Sequence, residues 1–417
     1  MKLKSFSDKR EGNLTMQGKR LLHKFIKESS NELLHKKTSD SLVIVCEGLL
    51  KSRKLSVTAI GRSIESKTTD KYSIKRVDRL VSNTLLEENR EIFYKALAKR
   101  MVPSTGWCPI LVDTSCLTAD SKFQMIRASL ALDGRAFTLF EMSYENGTLK
   151  NIWEIFLKKL NKILPEEKGR VILITDAGFH NKWFHLVRKQ KWDFIGRIRQ
   201  GKNYTTDNGK TYPCKALHKA ATFKPTYHGT IFLSKGSHNK AIICDLYSVK
   251  KKYKGRKMKT KFGKVKQGSY SKIIAKGQRE PWILASSLPK NIFNADQIAR
   301  LYSVRMQIEQ SFRDMKNNKY GFSFKNTLTR SIDRLNILLL IAAIVNFIVW
   351  SVGVLAEQKS WHFKCQSNTS KKRTLSLFYL GIIILQSKYF TVTISEINSA
   401  LQNIVLPSKA NIMEHQL

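Results

Sequence analysis

Up to about residue 95, apolar residues recur at three- and four-residue steps between short polar breaks, which predicts a run of small helices. Ser39 and Asp40 are placed to cap a helix over residues 42–50. After the break KSRK come LSVTAIGRSI (55–64) and IKRVDRLVSN (74–83), joined by basic, polar turns. On the second of these, Ile74, Val77, Leu80 and Val81 supply an inner face and Lys75, Arg76 and Arg79 an outer one. That pattern fits a helix-turn-helix-like DNA reader, and equally an ordinary helical subdomain with a solvated basic face.

From Pro109 the period shortens to that of strands. PILVDTS is followed by MIRASLALDGRAFTLFE, where Asp133-Gly134 is a two-residue hairpin turn between alternating runs. A helix is predicted over 152–164, then the continuous apolar strand VILITDAGF, then a helix that includes Trp183, Phe184 and Val187. This order describes a mixed sheet flanked by helices. Between 201 and 289 the strand-like pieces TIFLSK, AIICDLYSV and PWILASSL stand among Gly, Lys and Asn, the texture of a β-rich insertion. The stretch 250–266 is rich in Lys and Arg without an acid and reads as a basic loop or solvated linker. Helical periodicity returns after Asn294. The chain therefore divides into a helical N-terminal region (1–95), a core in two parts (96–200 and 293–370), the insertion between them (201–292) and a C-terminal region (371–417).

Composition narrows the function. The 74 Lys and Arg against 32 Asp and Glu leave a net charge of +42, spread along the whole chain, and a polyanion such as nucleic acid is the implied partner. Cys46, Cys108, Cys116, Cys214, Cys244 and Cys365 form no CxxC pair and have no zinc-spaced His, which excludes a disulfide framework and a structural zinc and suits a reducing cytoplasm. MKLKSFSDKREG has no apolar core of signal-peptide length, so secretion is not expected. The stretch 337–356 is long and apolar enough to span a bilayer. With Asn346 and Ser351 inside it, basic flanks on both sides and no second span, it reads as a buried core helix instead.

Two acids stand where apolar strands emerge: Asp113 after ILV and Asp176 after VILIT. An uncompensated buried carboxylate is costly, so each calls for a partner, although either could serve as a cap or turn residue. A third acid lies in YSVRMQIEQSFRDMK. On a single long helix turning about 100° per residue, Tyr302, Arg305, Glu309 and Lys316 share an arc of about 60°. A phenol, a guanidinium, a carboxylate and an ammonium on one face make either an exposed salt-bridged stripe or a site. His180 and His185 lie near Asp176, but imidazole suits softer ions than Mg²⁺, and neither is assigned as a ligand.

The spacing Y-x2-R-x3-E-x6-K closely resembles the signature of the bacterial insertion-sequence-four family of DDE transposases, and VDTS, TDAGF and EPWILASSLP resemble its other blocks. The match runs from the LSVTAIGR region to the apolar helix after Arg334 and looks closest to the insertion-sequence-ten branch. The resemblance implies an α/β, ribonuclease-H-like (retroviral-integrase-like) core with a β-rich insertion between the second Asp and the Glu. It implies that Asp113, Asp176 and Glu309 bind two Mg²⁺ ions, Mn²⁺ substituting, and form the catalytic centre. Tyr302, Arg305 and Lys316 would contact phosphates beside the scissile bond, and Trp282 matches the family's base-stacking tryptophan, its alternative being a strand Trp packed in the core. Lys254, Arg256 and Lys257 of the basic loop, with Lys75, Arg76 and Arg79, would hold double-stranded element-end and target DNA. A homodimer pairing two ends, in nucleoid-associated cytoplasm and without a membrane, is expected. The rivals are a nuclease on the same core that cuts without joining, and an inactive DNA-binding regulator.

Overall fold

The computed structural model describes residues 16–404 apart from 31–32, 119, 133–134, 148–150, 200, 235–240, 253–263, 278, 318–320 and 325–326. The chain opens with helices α1 (Met16–Ser30), α2 (Lys36–Ser52), α3 (Val57–Arg62), α4 (Asp70–Val81), α5 (Thr84–Asn89) and α6 (Glu91–Met101). Helix α2 begins nearly two turns earlier than expected. His35 caps it, its Nδ1 accepting from the Lys37 N–H at 3.2 Å, while the Ser39 hydroxyl reaches 3.5 Å across to Ser30 on α1 and is not a cap. Ser56 caps α3 through the Ala59 N–H. Helices α3 and α4 cross at Gly61, where an added Cβ would come within 2.6 Å of the Ile74 Cα, so the crossing requires glycine. Val77, Leu80 and Val81 of α4 are buried, Ile74 is partly buried, and Lys75, Arg76 and Arg79 are exposed.

Strands β1 (Trp107–Cys116), β2 (Phe123–Ala131) and β3 (Ala136–Glu145) form an antiparallel meander. The Asp133-Gly134 turn lies outside the described residues. Helix α7 (Ile152–Ile163) leads to β4 (Arg170–Thr175), parallel to β1, and α8 (Asn181–Lys189) leads to β5 (Asp193–Ile198), parallel to β4. The later elements are β6 (Asn203–Thr205), β7 (Thr211–Pro213), α9 (Leu217–Ala220), β8 (Thr226–Ser234), β9 (Ile242–Val249), α10 (Ser269–Gly277) and β10 (Trp282–Ser286). Among the described residues all ten strands form one sheet, in the order β3-β2-β1-β4-β5-β10-β9-β8-β6-β7. Because β10 pairs antiparallel with β5, the strands of the insertion continue the core sheet sideways.

Helices α11 (Ala295–Ser303), α12 (Met306–Lys316), α13 (Ile332–Gln358), α14 (Leu377–Gln386) and α15 (Ile394–Gln402) complete the chain. On one face of β3, Phe140 packs at 5.4 Å against Tyr94 of α6 and Phe156 of α7. On the other, Phe137 meets Phe347 and Trp350 of α13. Asn336 of α13 accepts from the Ser143 N–H at 2.8 Å and donates to Glu87 of α5, locking the long helix to the sheet and to the N-terminal helices. α13 passes the length and composition test for a membrane span, yet 94% of its most apolar window is buried within the protein. It is the central core helix, apolar all round because it is surrounded.

Candidate active site

The site is built on strand register. β1 and β4 are parallel with Val112 opposite Thr175, and β4 and β5 are parallel with Thr175 opposite Gly196. One residue beyond that rung come Asp113, Asp176 and, on the third strand, Arg197. Neighbouring strands lie about 4.8 Å apart, so the register alone sets the two acids side by side.

Helix α12 packs against β1 and brings the third acid. Arg305, just before its first turn, lies 3.5 Å from the Asp113 carboxylate through Nη1 and 2.6 Å from Glu309 through Nη2. One guanidinium thus links the acid of the sheet to the acid of the helix. The expected single helix carrying Tyr302 through Lys316 is two: it breaks at Val304 and Arg305. There the amide N–H groups of Arg305, Gln307 and Ile308 bond to carbonyls three residues back rather than four, which tightens the turn and changes the side-chain bearings. Tyr302 therefore lies in the last turn of α11, buried at 2% exposure, and Glu309 and Lys316 belong to α12. Proximity survives the break. The Arg305 guanidinium lies 5.9 Å from the Tyr302 ring centre, and Lys316 Nζ donates at 2.7 Å to Ser115, two residues along β1 from Asp113 and on the same face.

Burial, then the Asp176 charge and more weakly Glu309, push the Asp113 carboxyl up to about 7, against the pull of Arg305 and the Thr114 N–H. The Thr114 N–H donates to Asp113 Oδ1, and the Gly178 N–H donates to Asp176 Oδ1, each at 2.8 Å. Among the described residues no three His, Cys, Asp or Glu side chains stand close enough to cage a metal ion unaided. Arg305 explains this, because it holds Glu309 in a salt bridge. The donor set still fits a hard divalent cation: carboxylate oxygens, two of them adjacent and repelling, with the third within electrostatic reach.

Trp282 opens β10 and sits half-buried on this face, its ring 4.8 Å from Tyr302 at 75°, with the Lys251 ammonium 5.0 Å from its ring centre. It is both packed and partly accessible. Beneath the site, Arg127 of β2, opposite Asp113 in register, forms a buried salt bridge with Glu141 of β3 and donates to Ser311 of α12 at 3.3 Å, tying that helix down. The sequence reading missed Arg127, Glu141, Ser115 and Arg197. For Arg197 the sequence does hold a signal: like the two acids, it is a charged residue at the end of an apolar strand, DFIG.

Away from this centre, Lys75, Arg76 and Arg79 line an open cleft with Lys37, Thr38, Ser41 and the exposed Tyr72. Lys254, Arg256 and Lys257 lie outside the described residues. His180 edges against Trp153 at 4.9 Å and is exposed, as is His185.

A family model for the transposase DDE domain matches residues 111–347, a span that contains Asp113, Asp176 and Glu309. No curated protein matches the chain. Among solved structures, the piggyBac transposase synaptic complex with hairpin DNA is similar with a TM-score of 0.42 at 15% identity, over 94% of this chain and 84% of that one.

Proposed function

The chain belongs to the transposase DDE-domain family, and on that premise we propose that it is a cut-and-paste DNA transposase of the Y-R-E-K insertion-sequence type, with Asp113, Asp176 and Glu309 as its catalytic carboxylates. The observation that carries this reading is the pair of acids fixed side by side by strand register, with Glu309 delivered over them through Arg305. The strand order β3-β2-β1-β4-β5, three antiparallel strands followed by two parallel to the first, supports a ribonuclease-H-like core. The net charge of +42 supports DNA as the partner, both element ends and target.

The Asp113, Asp176 and Glu309 oxygens would hold two Mg²⁺ ions, with Mn²⁺ able to substitute; when bound, such a pair activates the attacking oxygen and stabilises the leaving one. For Glu309 to join, its bond to Arg305 must open, which frees that guanidinium to take a phosphate oxygen. Lys316 offers a point charge and Tyr302 a hydroxyl to the same strand. Water hydrolyses one strand at the element end, leaving a 3′ hydroxyl. That hydroxyl attacks the opposite strand in a transesterification that closes a hairpin, and Trp282 stacks the base that the tight bend extrudes. Water reopens the hairpin, and the 3′ end joins target DNA. Two chains, each holding one end, would make the working complex, which places the protein at the nucleoid. The α4 face, with the loop that carries Lys254, Arg256 and Lys257, would hold DNA by its phosphates, giving residues 1–95 the role of end binding.

Incubating the protein with labelled DNA carrying the element's own ends, in Mg²⁺ or in EDTA, and reading the products on a denaturing gel tests this. Nicks, hairpins and joined strands appear only with metal. Cutting without joining would identify a nuclease, and binding without cutting an inactive regulator.

A further inference from the structure

We propose that Arg197 is a substrate-contacting residue, its guanidinium gripping a DNA phosphate beside Asp176 and sharing an anion subsite with Arg305. This rests on the reading of Asp113 and Asp176 as the reacting centre, but the observations behind it are separate. Arg197 stands one strand beyond Asp176 in the rung that sets the two acids side by side. Its direction follows from its neighbour: a Cβ on Gly196 would run into the Phe184 ring of α8, so that face of β5 is filled, and Arg197 projects to the opposite face, where α11 packs. Its antiparallel partner on β10 is Leu284, two residues from Trp282 and on the same face.

Arg197 is only partly satisfied by the protein groups around it. Among the described residues its Nη2 donates to the Glu280 carbonyl, at 3.4 Å, and its Nε is buried without a hydrogen-bond partner. Arg305 is in the same condition at Nε. The other largely buried arginines here, Arg305 included, end on carboxylates: Arg305 on Glu309 and Asp113, Arg127 on Glu141 and Arg90 on Glu87. Tyr302, Arg199, Glu280 and, most weakly, Arg305 are close enough to Arg197 to act on it electrostatically. A guanidinium in a partly desolvated place, with a second within electrostatic reach, is disfavoured, and each retains a donor that water does not reach. An anion lying across both removes the two penalties at once. A phosphodiester fits the fork geometry of arginine, and the adjacent carboxylates are where a phosphodiester has to lie to react. Burial lowers the affinity of Arg197 for its proton, which marks the cost of holding the charge there without a partner.

The test uses the full chain as wild type, Arg197→Gln and Arg197→Lys, each checked by circular dichroism melting. The Gln variant removes a poorly partnered charge and keeps the fold, and the Lys variant keeps the charge if it does not. Affinity for fluorescein-labelled duplex DNA is measured by anisotropy across a series of salt concentrations in EDTA, where nothing is cut. Single-turnover cleavage in Mg²⁺ is measured alongside. For Arg197→Gln the slope of log affinity against log salt becomes shallower by about one, and cleavage slows on the order of 100-fold. Arg197→Lys retains the slope and recovers part of the rate. If Arg197→Gln matches wild type in both, the proposal is overturned. If wild type binds DNA but never cuts it, the catalytic reading fails, and the slope still decides whether Arg197 holds a phosphate. A wild-type chain that binds no DNA overturns both.

Discussion

Two arginine–carboxylate arrangements lie within one turn of α12, and they differ in whether their polar atoms are spent. Arg127 and Glu141 are 3% and 1% exposed, joined at 2.6 Å, with the remaining Arg127 nitrogens on Ser311 and Met315 and the ring of Phe312 beneath. Arg305 spans Asp113 and Glu309 with one nitrogen left over, and the Glu309 side chain is 37% exposed. The first arrangement is closed. It fixes α12 to the sheet, and nothing could enter without breaking it. The second is open on one side and short of partners, the condition of groups that meet a substrate. An ion pair near a candidate site is therefore informative through its unsatisfied atoms rather than its charge.

Removing one of the two side-by-side acids that the open arrangement adjoins gives the largest effect. Asp176→Ala reduces end cleavage on a denaturing gel to background while end binding in a gel shift persists. Retained cutting would withdraw Asp176 from the proposed centre. Next comes the closed arrangement. Arg127→Met strands a buried carboxylate and lowers unfolding free energy by about 3–5 kcal/mol in denaturant melts, whereas replacing both partners with apolar residues of similar volume restores most of it. Arg305→Gln, whose Glu309 partner is 37% exposed and can be rehydrated, lowers stability by less than Arg127→Met does. Equal destabilisation by both arginine variants would erase the distinction drawn here.

A smaller effect belongs to Trp282. Base stacking on an aromatic ring is worth about 1–3 kcal/mol, so Trp282→Ala should lower hairpin yield while leaving the first nick, and Trp282→Phe should keep most of both. Loss of nicking with loss of melting temperature would instead make Trp282 a packing residue for Tyr302. The smallest change in chemistry comes from α4: replacing Lys75, Arg76 and Arg79 together with Ala makes the salt slope of end binding shallower by about three and leaves the cleavage rate of saturated complexes unchanged.

How much of this was legible in the sequence depends on the range of the forces involved. Buried parallel strands are continuous apolar runs, so β1, β4 and the acids at their ends could be read directly. The core helix α13 was legible in the same way. The break between α11 and α12 was not, because Val304 and Arg305 keep helical backbone angles and no Gly or Pro marks the place. Nor was the Arg127–Glu141 bridge, whose partners meet only through the β2–β3 register. The run of the insertion into the same sheet depends on β5 and β10 pairing across more than 80 intervening residues, and local pattern holds no record of that. Arg197 is a different case: its position at the end of an apolar strand was visible, and only the parallel register shows that its neighbour is Asp176.

The most direct test of the proposed centre is single-turnover cleavage of labelled element ends by Glu309→Gln in Mg²⁺, with its melting curve recorded beside wild type. This substitution keeps the size of the side chain and its hydrogen bond to Arg305 while removing the charge that a metal ion would need. The proposed function predicts no cleavage from a chain that melts and binds DNA like wild type. Cleavage at the wild-type rate would contradict it and show that the carboxylates of this site are not its catalytic groups.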